Sequence, residues 1–156
     1  MKNCIGIDIS KRTFDVHLLT GSSDHHFDYT PENIRKTAEL FLTAKPELIV
    51  TEATGGYEIP LAEELYAAGL PAAAVNPARI RNFAKAAGQT AKTDRIDVRI
   101  IARFADVMEP PVTTARNDTS SEIRALVVRK RLLTDMRTAE KPHGTHPASL
   151  NKASGL

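Results

Sequence analysis

The first thirty residues alternate between apolar and polar positions, which is the pattern of strands with one buried face. Within residues 2–9, isoleucine recurs at every second position, and the intervening positions, which include Asp8, point to the opposite face. Phe14–Leu19 and His25–Tyr29 predict two further strands, separated by a turn signal. Because the connections are short, we predict an antiparallel meander of three strands.

Helical periodicity alternates with strand-length apolar runs over the next sixty residues. Thr30 is the predicted N-cap of a helix with Pro31 at its first position. The apolar face of this helix consists of Ile34, Ala38, Phe41 and Leu42. Residues 47–51 form a continuous apolar run, which suits an interior strand covered on both faces. A helix at 57–68, a strand at 71–75 and a helix at 76–87 follow, and the strand–helix–strand unit predicts a right-handed parallel crossover.

The stretch from Thr93 to Phe104 is amphipathic in an unusual way. Read as a helix capped by Thr93, it places two carboxylates in line with an apolar seam, because residues three and four apart share a face. The stripe consists of Asp94, Asp97, Ile101, Phe104 and Met108. Burying a bare carboxylate is unfavourable by several kcal/mol, so this pair requires a cation or hydrogen-bond donors.

The last part of the chain predicts one long helix followed by no regular structure. The helix begins after Ser120 or Ser121, ends near Glu140 and is rich in arginine. Residues 142–156 have no periodicity and little apolar content, so we expect a disordered tail. The predicted organisation is a domain at 1–110, a long basic helix at 119–141 and the tail at 142–156.

The composition favours an ordinary globular domain. The chain has 156 residues, 42% of them hydrophobic and 26% charged, which is enough for one domain with a sizeable core. The single cysteine, Cys4, excludes an internal disulfide and favours the cytosol. No apolar run approaches the roughly 20 residues of a membrane span, so we expect a cytoplasmic protein with no membrane partner.

Charge is unevenly distributed along the chain. Residues 1–78 carry 6 basic and 11 acidic residues, a net of −5, whereas residues 79–156 carry 15 and 8, a net of +7. A basic half beside clustered acids indicates a polyanionic partner such as nucleic acid. Five cations around the acidic stretch are suited to phosphate-backbone contacts, namely Arg79, Arg81, Lys85, Lys92 and Arg95. The alternative is a solvated basic surface.

Two further acids follow apolar strands, and together with the helical pair they suggest a metal site. Asp8 lies near the end of the first strand and Glu52 at the end of the interior strand, so the two carboxylates meet if those strands are neighbours. Carboxylate oxygens suit Mg²⁺ or Mn²⁺, and the absence of clustered histidines and cysteines argues against zinc. Paired divalent ions support phosphodiester cleavage.

Each of these residues also has a structural interpretation. Asp8 is compatible with capping a loop, Glu52 with capping the next helix, Asp94 with an ordinary first-turn acid, and Asp97 with an ion pair to Arg99 or Arg103 on a wet face. The Gly55–Gly56 pair that follows Glu52 fits a phosphate-binding turn or a plain strand-to-helix loop.

Four segments carry a resemblance to a known family: Ile5–Lys11, Thr51–Tyr57, Val75–Pro77 and Lys92–Asp97. They resemble the N-terminal domain of the DEDD-type transposases of bacterial insertion sequences. This is the group related to the Piv invertase, whose elements encode a bridge RNA. The resemblance covers roughly residues 2–140, and the Lys92–Asp97 segment is its most specific part.

The resemblance implies an α/β, ribonuclease H-like (RuvC-like) fold, a mixed sheet flanked by helices and followed by a long basic helix that begins a coiled-coil region. It implies that Asp8, Glu52, Asp94 and Asp97 are the catalytic, metal-binding tetrad, with Mg²⁺ or Mn²⁺ as cofactor. The implied activity is metal-dependent strand cleavage and transfer in DNA transposition. The implied partners are DNA, a structured guide RNA and further copies of the chain, at the nucleoid.

The resemblance stops near Lys141, and the second domain of the family is missing from this sequence. We therefore expect a truncated copy that keeps the fold, metal binding and some nucleic-acid affinity, and whether it is active or inactive as an enzyme is left open. One alternative is a non-catalytic nucleic-acid-binding or oligomerisation fragment. Another is an actin/hexokinase-type phosphotransferase, although the chain lacks the second phosphate loop of that class and Lys92–Asp97 has no role in it.

Overall fold

The computed structural model describes residues 1–89, 97–113, 126–127, 129–130 and 133–134. This part of the chain forms five strands and four helices of more than one turn. They are β1 Cys4–Ile9, β2 Thr13–Leu18, β3 Ser23–Asp28, α1 Pro31–Ala44, β4 Leu48–Glu52, α2 Ile59–Ala67, β5 Ala72–Val75, α3 Pro77–Ala86 and α4 Val98–Met108. The predicted bounds of the five strands and of α1 to α3 agree with these to within two residues.

The strands form one mixed sheet in the order β3-β2-β1-β4-β5. The first three strands are antiparallel neighbours, which confirms the meander. β4 pairs in parallel with β1 on one side and with β5 on the other, and all five of its residues are buried. The predicted α/β class, with a mixed sheet flanked by helices, is therefore confirmed.

A separate apolar core covers each face of the sheet, because alternate residues of every strand point to opposite sides. The isoleucines of β1 pack with α1 and α2 through Phe41, Leu61 and Leu65. Cys4 on the other face packs with α3 and α4 through residues such as Ile80. No described helix combines the length and apolar content that a bilayer span requires.

The first helix begins as predicted. The Asn33 N–H donates to the Thr30 hydroxyl oxygen at 3.2 Å, and Pro31 occupies the first turn. One predicted core residue is wrong, since Leu42 is 50% exposed. Thr37 is buried on that face instead, because its hydroxyl is satisfied by the Asn33 carbonyl one turn earlier.

The fourth helix differs from its prediction at both ends. Asp97 is its N-cap, with extended backbone angles, so Asp97 is not on an inward stripe within the helix as predicted. Ile101 and Phe104 are buried as predicted, but Met108 is 47% exposed. By that point α4 has reached the start of β1, where Asp106 accepts from the Lys2 N–H, and the sheet ends before it can cover Met108.

The predicted cap at Thr93 lies outside the described residues. The same holds for Asp94, Lys92, Arg95, the tail at 142–156 and most of the basic helix at 119–141. The described residues between 126 and 134 are helical, as predicted for that segment.

Candidate metal site and nucleic-acid interface

Asp8 and Glu52 lie at the same edge of the sheet. β1 and β4 are parallel neighbours in a register that sets Ile7 opposite Thr51, so the next residue of each strand, Asp8 and Glu52, is also side by side. Asp8 lies two residues after Gly6 on β1, so the two residues share a face of the sheet, and Glu52 is the neighbour of Asp8 on β4. Both acids therefore project on the face that α4 covers. The sequence predicts that these two acids meet if β1 and β4 are neighbours, and in the structure they are neighbours.

Electrostatics at this edge favour a bound cation. Glu52 is buried, and its pKa is raised above the ordinary value, first by loss of solvent and then by the negative charge of Asp8. Arg81 acts in the opposite direction and lowers the pKa of Glu52, but its influence is smaller. Two carboxylates that repel each other in a low-dielectric setting are stabilised by a hard cation bound between them. Their oxygen donors fit Mg²⁺ or Mn²⁺.

Gly6 brings the third acid to this face. A Cβ at Gly6 would lie 2.4 Å from the backbone nitrogen of Ala102 and 2.6 Å from the carbonyl oxygen of Val98. The backbone of α4 therefore lies directly on β1, which is possible only because position 6 has no side chain. This close approach fixes the first turn of α4, and with it Asp97, over the strand that carries Asp8.

Asp97 is an exposed N-cap rather than a buried ligand. One of its carboxylate oxygens, Oδ1, accepts from the Arg99 N–H at 3.0 Å. The guanidinium of Arg99 is directed to Asp24 instead, so the predicted alternative of an Asp97–Arg99 side-chain ion pair is wrong. The described residues contain no group of three or more His, Cys, Asp or Glu that could hold a metal ion. The fourth acid, Asp94, lies outside them.

The loop after β4 bears on two of the other structural alternatives, those for Glu52 and for the glycine pair. The N-cap position of α2 is occupied by Glu58, so the alternative of Glu52 as a helix cap is wrong. The backbone N–H groups of Thr54 and Gly56 each donate to Oε2 of Glu58 at 3.0 Å. The donors of this glycine turn therefore bind a carboxylate of the chain itself, as expected of a strand-to-helix loop.

The basic residues on α3 differ in their surroundings. Arg81 and Lys85 are one turn apart and exposed, and the charge of Arg81 acts on Glu52. The guanidinium of Arg79 lies over the ring of Phe104, 5.7 Å from its centroid, which is a cation–π contact that packs α3 on α4. Of the three cations on α3, Arg81 and Lys85 are therefore the two that no ring contact engages in the described residues, and they suit a phosphate backbone.

Sequence reasoning missed a group of His–Asp contacts on the same face. The β2–β3 hairpin sets Asp15 opposite His26 and His17 opposite Asp24. The carboxylate–imidazole distances are 2.5 Å for Asp15–His26 and 2.6 Å for His17–Asp24. The period-two alternation of residues 13–28 was the available signal, because it puts all four side chains on one face once the hairpin closes.

A cavity of about 340 Å³ lies next to this group, lined by Asp15, Asp24 and His26 of the hairpin and by Asp97 and Arg99 of α4. Asp15 is also the cross-strand neighbour of Asp8 in the β1–β2 pair. One lining residue of the cavity is therefore the strand neighbour of Asp8, although Asp8 and Glu52 are not among the lining residues.

The chain matches known proteins over most of its length. A family model described as transposase, the DEDD type of IS110 elements, matches residues 5–144. Pilin gene-inverting proteins from Moraxella lacunata and Moraxella bovis are each 32% identical over an alignment of length 152 that covers 90% of this chain and 47% of theirs, so the chain spans about half the length of these relatives.

The solved structure of RuvC from Thermus thermophilus is 15% identical, and its alignment covers 85% of this chain and 95% of that chain with a TM-score of 0.45. The family model and the Moraxella relatives both span most of the sequence, and the family model includes Asp8, Glu52 and Asp97. The chain therefore belongs to the IS110-type DEDD transposase family.

Proposed function

We propose that residues 1–110 form the catalytic domain of a DNA transposase or invertase, which binds DNA and carries out metal-dependent phosphodiester cleavage and strand transfer. Family membership supports the class of reaction. The name of the Moraxella relatives refers to gene inversion, which is a rearrangement of DNA. The observation that carries the proposal is the adjacency of Asp8 and Glu52 at the ends of two parallel strands, where burial and mutual repulsion raise the pKa of Glu52.

The proposed ligands are Asp8 and Glu52 together with Asp97 and Asp94, and the proposed cofactor is Mg²⁺ or Mn²⁺. Divalent ions held there would activate an attacking oxygen and stabilise the leaving oxygen of a phosphodiester. The protein contributes the geometry: the β1–β4 register sets two carboxylates side by side, and the contact of α4 with Gly6 fixes on β1 the helical turn that Asp97 caps. The Oδ1 atom of Asp97 caps α4, which leaves Oδ2 as the oxygen directed away from the helix N–H.

Phosphate contacts are proposed for Arg81 and Lys85, with Arg79, Lys92 and Arg95 completing the interface. The charge of Arg81 acts on Glu52, so a phosphate bound by this guanidinium lies beside the proposed metal site. Phosphate contacts of this kind position a duplex without reading its sequence. We propose that the protein acts at the nucleoid, because its proposed substrate is DNA.

Cleavage assays on duplex and four-way junction DNA in Mg²⁺ test the proposal. We expect cutting by the unmodified chain and its loss in both Asp8→Asn and Glu52→Gln, which preserve side-chain size. Glu39→Gln, on the exposed face of α1, is the matched control and should cut normally. Cutting that survives both active-site substitutions would exclude these acids as its source.

A second candidate function is favoured by the exposed apolar residues of the basic helix. Leu126 and Leu133 are 65% and 58% exposed, and they are one heptad apart. Such a stripe suits helix pairing between copies of the chain, so a fragment could oligomerise on DNA or a structured RNA without cutting either. DNA binding without cleavage, together with a dimeric mass that Leu126→Lys and Leu133→Lys reduce to that of a monomer, would favour this candidate.

A further inference from the structure

Asp24 on β3 bridges two residues that are far apart in the sequence. Its Oδ1 atom lies 2.6 Å from Nδ1 of His17, and its Oδ2 atom accepts from the guanidinium of Arg99, 75 residues along the chain. Because a carboxylate only accepts, the Nδ1 atom of His17 carries the hydrogen. Both bonds lower the pKa of Asp24, that to Arg99 more than that to His17. Asp24 therefore remains ionised and engaged on both oxygens.

One end of this bridge is fixed in the sheet. His17 lies on β2 and is only 3% exposed, so its ring cannot follow movements of the surface. The Asp24 and Arg99 side chains are about half exposed, at 45% and 59%. A surface ion pair of this kind adds little to folding stability. Its main physical effect is to hold the Arg99 side chain in one direction.

The other end of the bridge reaches Asp97. The backbone N–H of Arg99 donates to Oδ1 of Asp97, and the negative charge of Asp97 helps to raise the pKa of Arg99. Arg99 thus bonds to Asp97 through its backbone and to Asp24 through its side chain. A rotation of the Asp97 carboxylate requires a change in the N-cap bond, and the Arg99–Asp24 bond opposes a shift of that first turn.

We propose that His17, Asp24 and Arg99 are positioning residues that fix the orientation of the Asp97 carboxylate for metal binding. This inference rests on the proposed function, because it gives Asp97 a ligand's role. Groups that hydrogen-bond to a metal ligand or to its support orient the ligand, and their loss weakens metal affinity about 10- to 100-fold. None of the three residues contacts the metal in this account.

Manganese affinity of the full chain, followed by the electron paramagnetic resonance signal of free Mn²⁺, tests the proposal. We expect Asp24→Asn to weaken binding about 10- to 100-fold, with little change in melting temperature. Glu32→Gln is the matched control, because it removes a carboxylate from another exposed ion pair, with Lys36, on α1. It should leave Mn²⁺ affinity unchanged.

A double-mutant cycle on Mn²⁺ affinity distinguishes a positioning role of these residues from a merely structural role. If Asp24 and Arg99 act through one bond, the pair Asp24→Asn and Arg99→Gln should weaken Mn²⁺ binding no more than either change alone. Arg99→Lys, which keeps the charge, should restore part of the affinity that Arg99→Gln loses. Additive losses, or an Asp24→Asn variant that binds as tightly as the unmodified chain, would overturn the positioning role.

Failure of the proposed function can be distinguished from failure of the positioning role alone. In that case the unmodified chain binds no Mn²⁺, or binds it equally well after Glu52→Gln, and the positioning role falls with it. If Glu52→Gln abolishes binding while Asp24→Asn has no effect, only the positioning role is overturned.

Discussion

Replacing Gly6 with alanine should displace α4 from the sheet. The new Cβ would lie 2.4 Å from the Ala102 nitrogen, 2.6 Å from the Val98 carbonyl oxygen and 3.0 Å from the Ala102 Cα. All three atoms belong to the backbone, so no side-chain rotation relieves the overlap. Ordinary contact begins at 3.4 Å, so α4 must retreat by about 1 Å.

The retreat has a stability effect and a functional effect. Overpacking of this type destabilises a protein by about 1–3 kcal/mol, and each kcal/mol lowers the melting temperature of a domain this size by about 2–8 °C. The same shift moves Asp97, a proposed ligand, relative to β1 and Asp8, because Asp97 caps the turn that lies on Gly6. We therefore expect Gly6→Ala to weaken Mn²⁺ binding and DNA cleavage even at temperatures where the variant is fully folded.

Thermal unfolding by circular dichroism and Mn²⁺ titration measure the two effects separately. Gly69→Ala is the matched control: position 69 has open space around it but a φ of +72°. A left-handed alanine is strained by about 1–2 kcal/mol, so the control should lose similar stability without losing Mn²⁺ affinity. A Gly6→Ala variant with unchanged melting temperature, or one whose Mn²⁺ affinity equals that of the control, would refute the reasoning.

Three further predictions concern charge. The pKa of Glu52 is raised in the folded state, so its protonation stabilises the fold below the ordinary pKa of 4.5, and this stabilisation is lost as pH rises through the folded pKa. Glu52→Gln should therefore raise the melting temperature at pH 7 with chelator present. This gain should vanish near pH 4. Burial, and to a smaller extent the negative charge of Asp106, raises the pKa of Cys4 from 9.0 to about 11. The free energy of unfolding should therefore fall by about 2–3 kcal/mol between pH 9 and 11, and Cys4→Ala should reduce that fall. Arg81→Gln and Lys85→Gln should each reduce the slope of log affinity for DNA against log salt by about one, whatever the DNA sequence; an unchanged slope would remove these residues from the interface.

Much of the fold was predictable from the sequence, because local and tertiary signals agree there. Alternation in residues 2–9 predicts a strand whose isoleucines share one face, and the continuous run before Glu52 predicts the interior strand. The sequence does not show that α4 also covers the opposite face of β1. Thr30 and Pro31 predict the start of α1 through the chemistry of the cap. The adjacency of Asp8 and Glu52 follows once β1 and β4 are placed side by side.

The start of α4 was harder to predict, because Thr93 and Asp97 are both good N-cap residues and the same periodicity fits either. The tertiary contact with Gly6 is consistent with a helix that begins at Val98, but nothing local in the sequence indicates that contact. The bridge through Asp24 depends on the register of a hairpin and on an ion pair that spans 75 residues. Neither has a short-range signature.

The central claim is that Asp8 and Glu52 hold a divalent ion together. Its most direct test compares the melting temperatures of the unmodified chain and Glu52→Gln, first with chelator and then with saturating Mn²⁺. A bound ion stabilises only the protein that binds it, so the account predicts that Glu52→Gln melts higher with chelator and lower with Mn²⁺. The same order of the two melting temperatures in both buffers would contradict it.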